Sequence, residues 1–287
     1  MAATAYGFIG LGNMGAPMCG HLCAAGLPII CYDAAGTSER APEGAEIATD
    51  LAAVVAVADT IFLSLPDGPV VSEVAGEIVA TAERRATTVV DLSTTGPDVA
   101  VAVGASLAEA GIVFVDAPVS GGRSGAVAAT LALMCAGPDE AVAALETAFE
   151  AIAGNVFQVG ARPGQAQAMK LLNNFLSATA MAATTEAILF GAAHGLEMDT
   201  MLAVLNVSSG RNTATGDKFP NRVATGTFDA GFATALMSKD VALYREQVGR
   251  AGTPDSVADV VSRLWRETET TLPGSDFTEI YRYLADR

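Results

Sequence analysis

The stretch "AYGFIGLGNMG", residues 5–15, constrains the fold of this chain more than any other. The apolar run "AYGFIG" (5–10) reads as a strand. It leads straight into Gly10, Gly12 and Gly15 in G-x-G-x-x-G spacing, and a helix is expected from about Asn13 to Ala25. In that context the first glycine permits a tight turn and the second lets the backbone approach a pyrophosphate. The third lets the helix pack on the strand. Glycines so spaced also serve plain turns; the flanking strand and helix favour the ligand reading, because a helix N-terminus offers free N–H groups to phosphates. Gly10, Leu11, Gly12, Asn13, Met14 and Gly15 are therefore the expected dinucleotide cradle.

The next strand, "PIICY" (28–32), is closed by Asp33. A carboxylate there accepts hydrogen bonds from the adenosine ribose hydroxyls. It also repels a 2′-phosphate, and "AAGTS" (34–38) supplies no arginine; Arg40 comes a few residues too late for a phosphate clamp. NAD is the expected cofactor, with NADP as the alternative.

Further apolar runs read as strands at 60–65, 87–92, 112–117, 130–137 and 156–160, with helical segments at about 68–82, 98–110 and 138–152. Strands alternating with helices imply βαβ units and a parallel sheet covered on both faces. The runs are continuously apolar, as buried parallel strands should be. The pattern changes after "ARPG" (161–164). One long helix is expected over 165–194, ended by Gly195, followed by helices at about 198–206, 217–225, 232–250, 255–268 and 276–285. The expected fold class is α/β: an N-terminal Rossmann-type doubly wound sheet (1–162) and a C-terminal all-helical domain (163–287), joined by the long interdomain helix. That helix is apolar on more than one side, so a homodimer or homotetramer is expected.

Composition narrows the function. Sixteen basic residues against thirty-two acidic ones give a net charge of −16. Nucleic acid is disfavoured as a partner, since binding it needs cations to displace counterions, and so are anionic membrane surfaces. A small anionic substrate remains compatible, because a local pocket can oppose the global field. Four cysteines without a CxxC pair and only two histidines give no expected metal site. Cys19 and Cys23 share a helix face and read as small buried hydrophobes. The longest apolar stretches are interrupted by Asp59 and Glu186, no secretory signal is seen at the start, and a cytoplasmic protein without a membrane span is expected.

The chain has only three lysines, Lys170, Lys218 and Lys239, and Lys170 sits in the Ala/Met/Leu-rich "GQAQAMKLLNN" (164–174). Such a lysine either snorkels to solvent or is held in a polar cleft. Asn174 shares its helix face at i+4. The helix begins at the domain boundary, so its first turns can line a cleft. A desolvated lysine exchanges a proton near neutral pH, as hydride transfer from an alcohol to nicotinamide requires. His21 and His194 are poorly placed, which leaves Lys170 as the best acid/base. "DLSTTGP" (91–97) and "DAPVSGGRSGA" (116–126) each close a strand with small polar residues. Ser120, Gly121 and Gly122 suit a carboxylate as a backbone nest with a hydroxyl, or form a plain loop.

Together "GFIGLGNMGAPM", "DLSTTGP", "DAPVSGGRSGA", "GQAQAMKLLNN" and "FATALMSKDVAL" resemble the β-hydroxyacid dehydrogenases, whose type member is 3-hydroxyisobutyrate dehydrogenase. The resemblance spans nearly the whole chain in family order. It implies an NAD(P)-dependent dehydrogenase of a small 3-hydroxy acid or its semialdehyde, with Lys170 catalytic and Asn174 holding substrate. It also implies that Ser120, Gly121 and Gly122 bind the substrate carboxylate, that Leu65 and Pro66 run along the cofactor, and that Thr94 and Lys239 lie near the nicotinamide. Lys170 argues against the imine reductase branch, which usually replaces it. Other relatives reduce tartronate semialdehyde, succinic semialdehyde, glyoxylate or sulfolactaldehyde. Arg123 departs from the small or neutral residue often found after Ser-Gly-Gly; it marks a more anionic substrate or simply faces solvent. A non-catalytic dinucleotide-binding protein of this fold would be expected to lack the lysine.

Overall fold

The computed structural model describes residues 5–287. The chain divides into two compact units, one ending at Lys170 and one running from Leu171 to Arg287.

The first unit is built on nine strands: β1 (Tyr6–Ile9), β2 (Ile29–Tyr32), β3 (Glu46–Ile47), β4 (Thr60–Leu63), β5 (Thr88–Asp91), β6 (Val113–Asp116), β7 (Val119–Ser120), β8 (Leu131–Ala136) and β9 (Ala153–Gly160). Their order is β3-β2-β1-β4-β5-β6-β8-β7, with β9 on β8. The six from β3 to β6 are parallel, with Phe8 opposite Cys31 on one side and Phe62 on the other. The expected parallel sheet holds through these six strands and becomes mixed at its far edge. There β8 runs antiparallel to β6 and β7, while β9 returns parallel to β8. Relative strand direction is a property of the connection, and an apolar run looks the same either way.

Helices α1 (Gly15–Ala24), α2 (Leu51–Val57), α3 (Gly68–Ala80), α4 (Pro97–Glu109), α5 (Gly122–Ala128), α6 (Asp139–Ala144) and α7 (Glu146–Ile152) complete this unit. Period-two alternation sorts each strand between two cores. Phe8, Phe62, Val90 and Val115 pack with Met18, Leu22 and Phe149 on one face. Ile9, Ile61, Leu63, Val89 and Phe114 pack with Val54, Val71, Ile78 and Leu107 on the other. Asp50 and Asp67 cap α2 and α3 by accepting from the N–H groups of Ala53 and Val70.

Sequence reading passed over β3, β7, α2 and α5. The two strands have two residues each, too short for a pattern. The residues of α2, "LAAVVAV", are apolar throughout, and α5 is glycine-rich. The helix expected over 138–152 is two, meeting at Leu145.

Helix α8 (Gln165–Ala193) starts in the first unit and continues into the second, and Gly195 at φ +78° follows its end. The second unit adds α9 (Met198–Asn206), a π-helix over Ala214–Val223, α10 (Thr234–Ala251), α11 (Ser256–Thr271), a 3₁₀ turn over Phe277–Glu279 and α12 (Ile280–Ala285). The π-helix replaces the α-helix expected at 217–225; Pro220 lies inside it and lacks the N–H an α-helical ladder needs. By length and mean hydropathy (1.3 over its most apolar window) α8 could cross a membrane. Its Ala178, Met181, Ala182 and Ile188 instead join Phe219, Val241 and Trp265 in the core of the second unit.

Candidate functional site: strand ends, a polar helix stripe and a buried carboxylate

The chain reverses its direction across the sheet between β1 and β4, the point where open α/β sheets take ligands at their C-terminal edge. The turn after β1 holds Gly10, Leu11, Gly12, Asn13 and Met14, and Gly15 opens α1. Gly10 has φ +96°, and a Cβ there would strike the Ser64 carbonyl oxygen. A Cβ on Gly15 would strike the Gly10 carbonyl oxygen, whereas one on Gly12 would meet nothing within 4 Å. Two glycines are thus demanded by packing, and the middle one leaves the backbone open to a ligand. These residues fit a dinucleotide pyrophosphate.

Asp33 lies just past β2. Its Oδ2 accepts from the Leu11 N–H at 2.6 Å and its Oδ1 from the Ala35 N–H at 2.8 Å, which fixes the carboxylate against the glycine turn. Arg40 is nearer than its sequence distance implied. The chain folds back through Thr37, whose hydroxyl accepts from the Asp33 N–H, and the Arg40 Nε comes to 3.9 Å from Asp33 Oδ1. A turn makes sequence spacing a poor measure of reach.

Leu65 and Pro66 follow β4, and Thr94 follows β5. The two loops are joined, since Ser93 Oγ accepts from the Leu65 N–H at 2.9 Å. Ser120 ends β7, opposite Ala132 of β8. Gly121 and Gly122 follow at φ +135° and +63°, backbone that other residues rarely adopt, and Arg123 beyond them is exposed. Both histidines donate to backbone carbonyls: His21 Nε2 to Ala126 and Val127, and His194 Nδ1 to Phe190.

Lys170 is buried, 7 % exposed, in the second turn of α8. Gln167, Lys170 and Asn174 stand at i, i+3 and i+7, all buried, and so form a polar stripe near the start of the helix. Gln167 is held by three backbone groups. Its Oε1 accepts from the N–H groups of Thr95 (3.0 Å) and Gly96 (3.2 Å), and its Nε2 donates to the Ser93 carbonyl (3.0 Å). The start of α8 is capped from a distant strand end. Asp116 Oδ2 accepts from the N–H groups of Gly164, Ala166 and Gln167, each at 3.1 Å. Burial pushes the Asp116 carboxyl up to about 6 against the pull of these N–H groups, and the Asp91 charge adds to the rise.

In the second unit Asn174 and Lys239 meet at Asp240. Asn174 Nδ2 donates to Asp240 Oδ2 at 2.6 Å, and Lys239 Nζ lies 3.4 Å from Asp240 Oδ1. Gln167, Asp116 and Asp240 were not singled out from sequence. Gln167 had a signal, its position three residues before Lys170; the two aspartates had none beyond lying in "FVDAP" and "MSKDV".

Residues 5–160 match the family described as the NAD binding domain of 6-phosphogluconate dehydrogenase. Residues 164–284 match that described as NAD-binding of NADP-dependent 3-hydroxyisobutyrate dehydrogenase. The chain is 35% identical over 250 residues to a 2-(hydroxymethyl)glutarate dehydrogenase of Eubacterium barkeri, covering 86% of this chain and 82% of that one. It is 32% identical to the mitochondrial 3-hydroxyisobutyrate dehydrogenase of Mus musculus, covering 99% and 88%. A solved 3-hydroxyisobutyrate dehydrogenase of Mycobacterium tuberculosis with L-serine superposes with a TM-score of 0.90 at 31% identity, over 98% of this chain and 99% of that one.

Proposed function

The chain belongs to the β-hydroxyacid dehydrogenase family, and from that premise we propose that it oxidises 3-hydroxy acids of the form HOCH₂–CHR–COO⁻, or reduces the matching semialdehydes, with NAD. The buried Lys170 carries the reading, as a general acid/base in the middle of a polar stripe. The compounds named for the relatives share this skeleton: R is methyl in 3-hydroxyisobutyrate, carboxyethyl in 2-(hydroxymethyl)glutarate and ammonium in L-serine.

The turn Gly10–Gly15 and the α1 N-terminus would hold the pyrophosphate, and Asp33 the adenosine ribose. Leu65, Pro66 and Thr94 would line the cofactor towards its nicotinamide, and the family resemblance supports the same part for Lys239. When bound, the nicotinamide accepts the hydride from the carbinol carbon or returns it to the aldehyde. The family resemblance supports Ser120, Gly121 and Gly122 as the holders of the carboxylate and Asn174 as a holder of the substrate. Lys170 Nζ enters oxidation as a neutral amine, takes the hydroxyl proton and leaves as an ammonium. In reduction it gives that proton to the carbonyl oxygen. NAD is favoured over NADP because the Asp33 carboxylate repels a 2′-phosphate.

Arg123 is exposed, as its solvent-facing reading expects, and a second reading in which R ends in another anion is supported instead by the likeness to a 2-(hydroxymethyl)glutarate dehydrogenase. One panel tests both. 3-Hydroxyisobutyrate, L-serine, 3-hydroxypropionate and 2-(hydroxymethyl)glutarate are each offered with NAD and NADP, and reduced cofactor is followed by absorbance. Turnover of the first with NAD is expected; a preference for 2-(hydroxymethyl)glutarate selects the second reading. Turnover of none would sink both.

The apolar side chains Leu176 (61 % exposed) and Phe190 (68 % exposed) on α8 support a homodimer or homotetramer. Four cysteines outside any disulfide support a cytoplasmic location.

A further inference from the structure

The Gln167 side chain is fully buried and all its polar atoms point at one loop. An amide offers two donors and two acceptor lone pairs. Here Oε1 spends both lone pairs on Thr95 and Gly96, and Nε2 holds the Ser93 carbonyl, so the amide orientation is fixed. The loop it grips has a second tie, from Ser93 Oγ to the Leu65 N–H, and a third, from the Ser93 N–H to Asp91 Oδ1. The backbone of Gln167 is gripped as well: its N–H is one of the three that converge on Asp116 Oδ2. One residue thus joins the end of β6, the loop after β5 and the start of α8. Three residues further along a rigid helix stands Lys170.

We propose that Gln167, fixed at the α8 N-terminus by Asp116, is a positioning residue that sets Lys170 and the Ser93–Gly96 loop in one register. The inference rests on the reading of Lys170 as the acid/base. Gln167 itself touches no reacting atom. Its role is to keep the lysine and the loop carrying Thr94 from moving independently, because a displacement of about 1 Å at a reacting group costs up to roughly 10²-fold in rate.

Gln167→Met preserves length and volume and removes all three side-chain hydrogen bonds. It leaves three buried backbone groups unpaired, so it also loses stability, and it is studied well below its melting transition with folding verified by circular dichroism. Turnover at saturating NAD is expected to fall about 10–100-fold. Gln167→Glu retains the acceptor for Thr95 and Gly96 and is expected to lose less; it also replaces the Met variant if that fails to fold.

The second readout needs no substrate. With lysine labelled at Cε, the three lysines give three resonances, assigned by Lys→Arg variants. The Lys170 signal is expected to move in either Gln167 variant while that of Lys218 stays in place. An unmoved Lys170 signal overturns the inference, and so does a moved one with turnover within twofold of wild type. If wild type turns over no hydroxy acid in the panel, the reading of the reaction has failed, and the resonance comparison still decides whether Gln167 sets Lys170.

Discussion

Asn174 Nδ2 donates to Asp240 Oδ2 over 2.6 Å, and both side chains are buried. Asn173 Nδ2 donates to Asn174 Oδ1 at 3.1 Å, so the Asn174 side-chain amide cannot flip without losing two bonds. Asp240→Ala removes the carboxylate that aims Asn174. Substrate KM is expected to rise about tenfold, with a smaller change in kcat, and stability to fall by about 1–3 kcal/mol as a buried donor loses its partner. Steady-state kinetics and urea unfolding measure both. A KM within twofold of wild type would show that Asn174 is aimed by something else.

Lys170→Ala is expected to lower turnover by roughly 10²–10⁴-fold, the range for loss of a general acid/base. NADH affinity, measured by fluorescence titration, is expected to stay within a few-fold. Near-wild-type turnover at neutral pH would remove Lys170 from the chemistry.

Asp33→Ser combined with Ala34→Arg is expected to move cofactor preference from NAD towards NADP, by removing a repulsive charge and adding a phosphate partner. Arg40 already stands beside Asp33, so the double variant gains a second cation near the 2′-phosphate. The ratio of kcat/KM for the two cofactors is the measurement. A wild type that already prefers NADP would contradict the reading of Asp33.

Asp116 makes stability depend on pH. Burial lifts its carboxyl to about 6 in the folded chain, against about 3.9 when unfolded. The folded state therefore holds the proton more tightly. This group's contribution is fully present below about pH 4 and is lost as pH rises through about 6. Asp116→Asn keeps an oxygen for the three N–H groups and has no proton to lose. The urea stability of wild type minus that of the variant is expected to fall between about pH 4 and 6, by on the order of 2–3 kcal/mol, and then to level off. A difference that is flat over this window would mean that Asp116 titrates at its ordinary value.

Light scattering at low micromolar concentration is expected to give a dimer or tetramer. Phe190→Asp, which charges an exposed apolar position on α8, is expected to lower the measured mass. A fully active wild-type monomer would mean that the exposed residues of α8 need no second copy.

The sequence by itself determined the elements whose physics is local. The glycine turn after β1 is legible because a tight turn, a close approach and an open backbone each demand glycine at a set spacing. The long helix α8 is legible because no proline and no strand pattern occurs between Gly164 and Gly195. Lys170 stands out because the chain has only three lysines and this one lies among Ala, Met and Leu, and Asn174 because it shares that helix face at i+4. Tertiary structure decided what depends on partners far apart in the chain. Whether β8 runs with or against β6 depends on how the chain returns, and neither strand's residues record it. Asp116 is an unremarked strand-end residue until the chain brings it beneath the start of α8, 48 to 51 residues later. Gln167 looks like a helix-surface residue until the Ser93–Gly96 loop closes over it, and Arg40 looks too distant until the turn at Thr37 returns it to Asp33. For Asp116 and Gln167 the deciding energy is hydrogen bonding between buried groups. Their partners are chosen by the path of the chain rather than by neighbours in sequence.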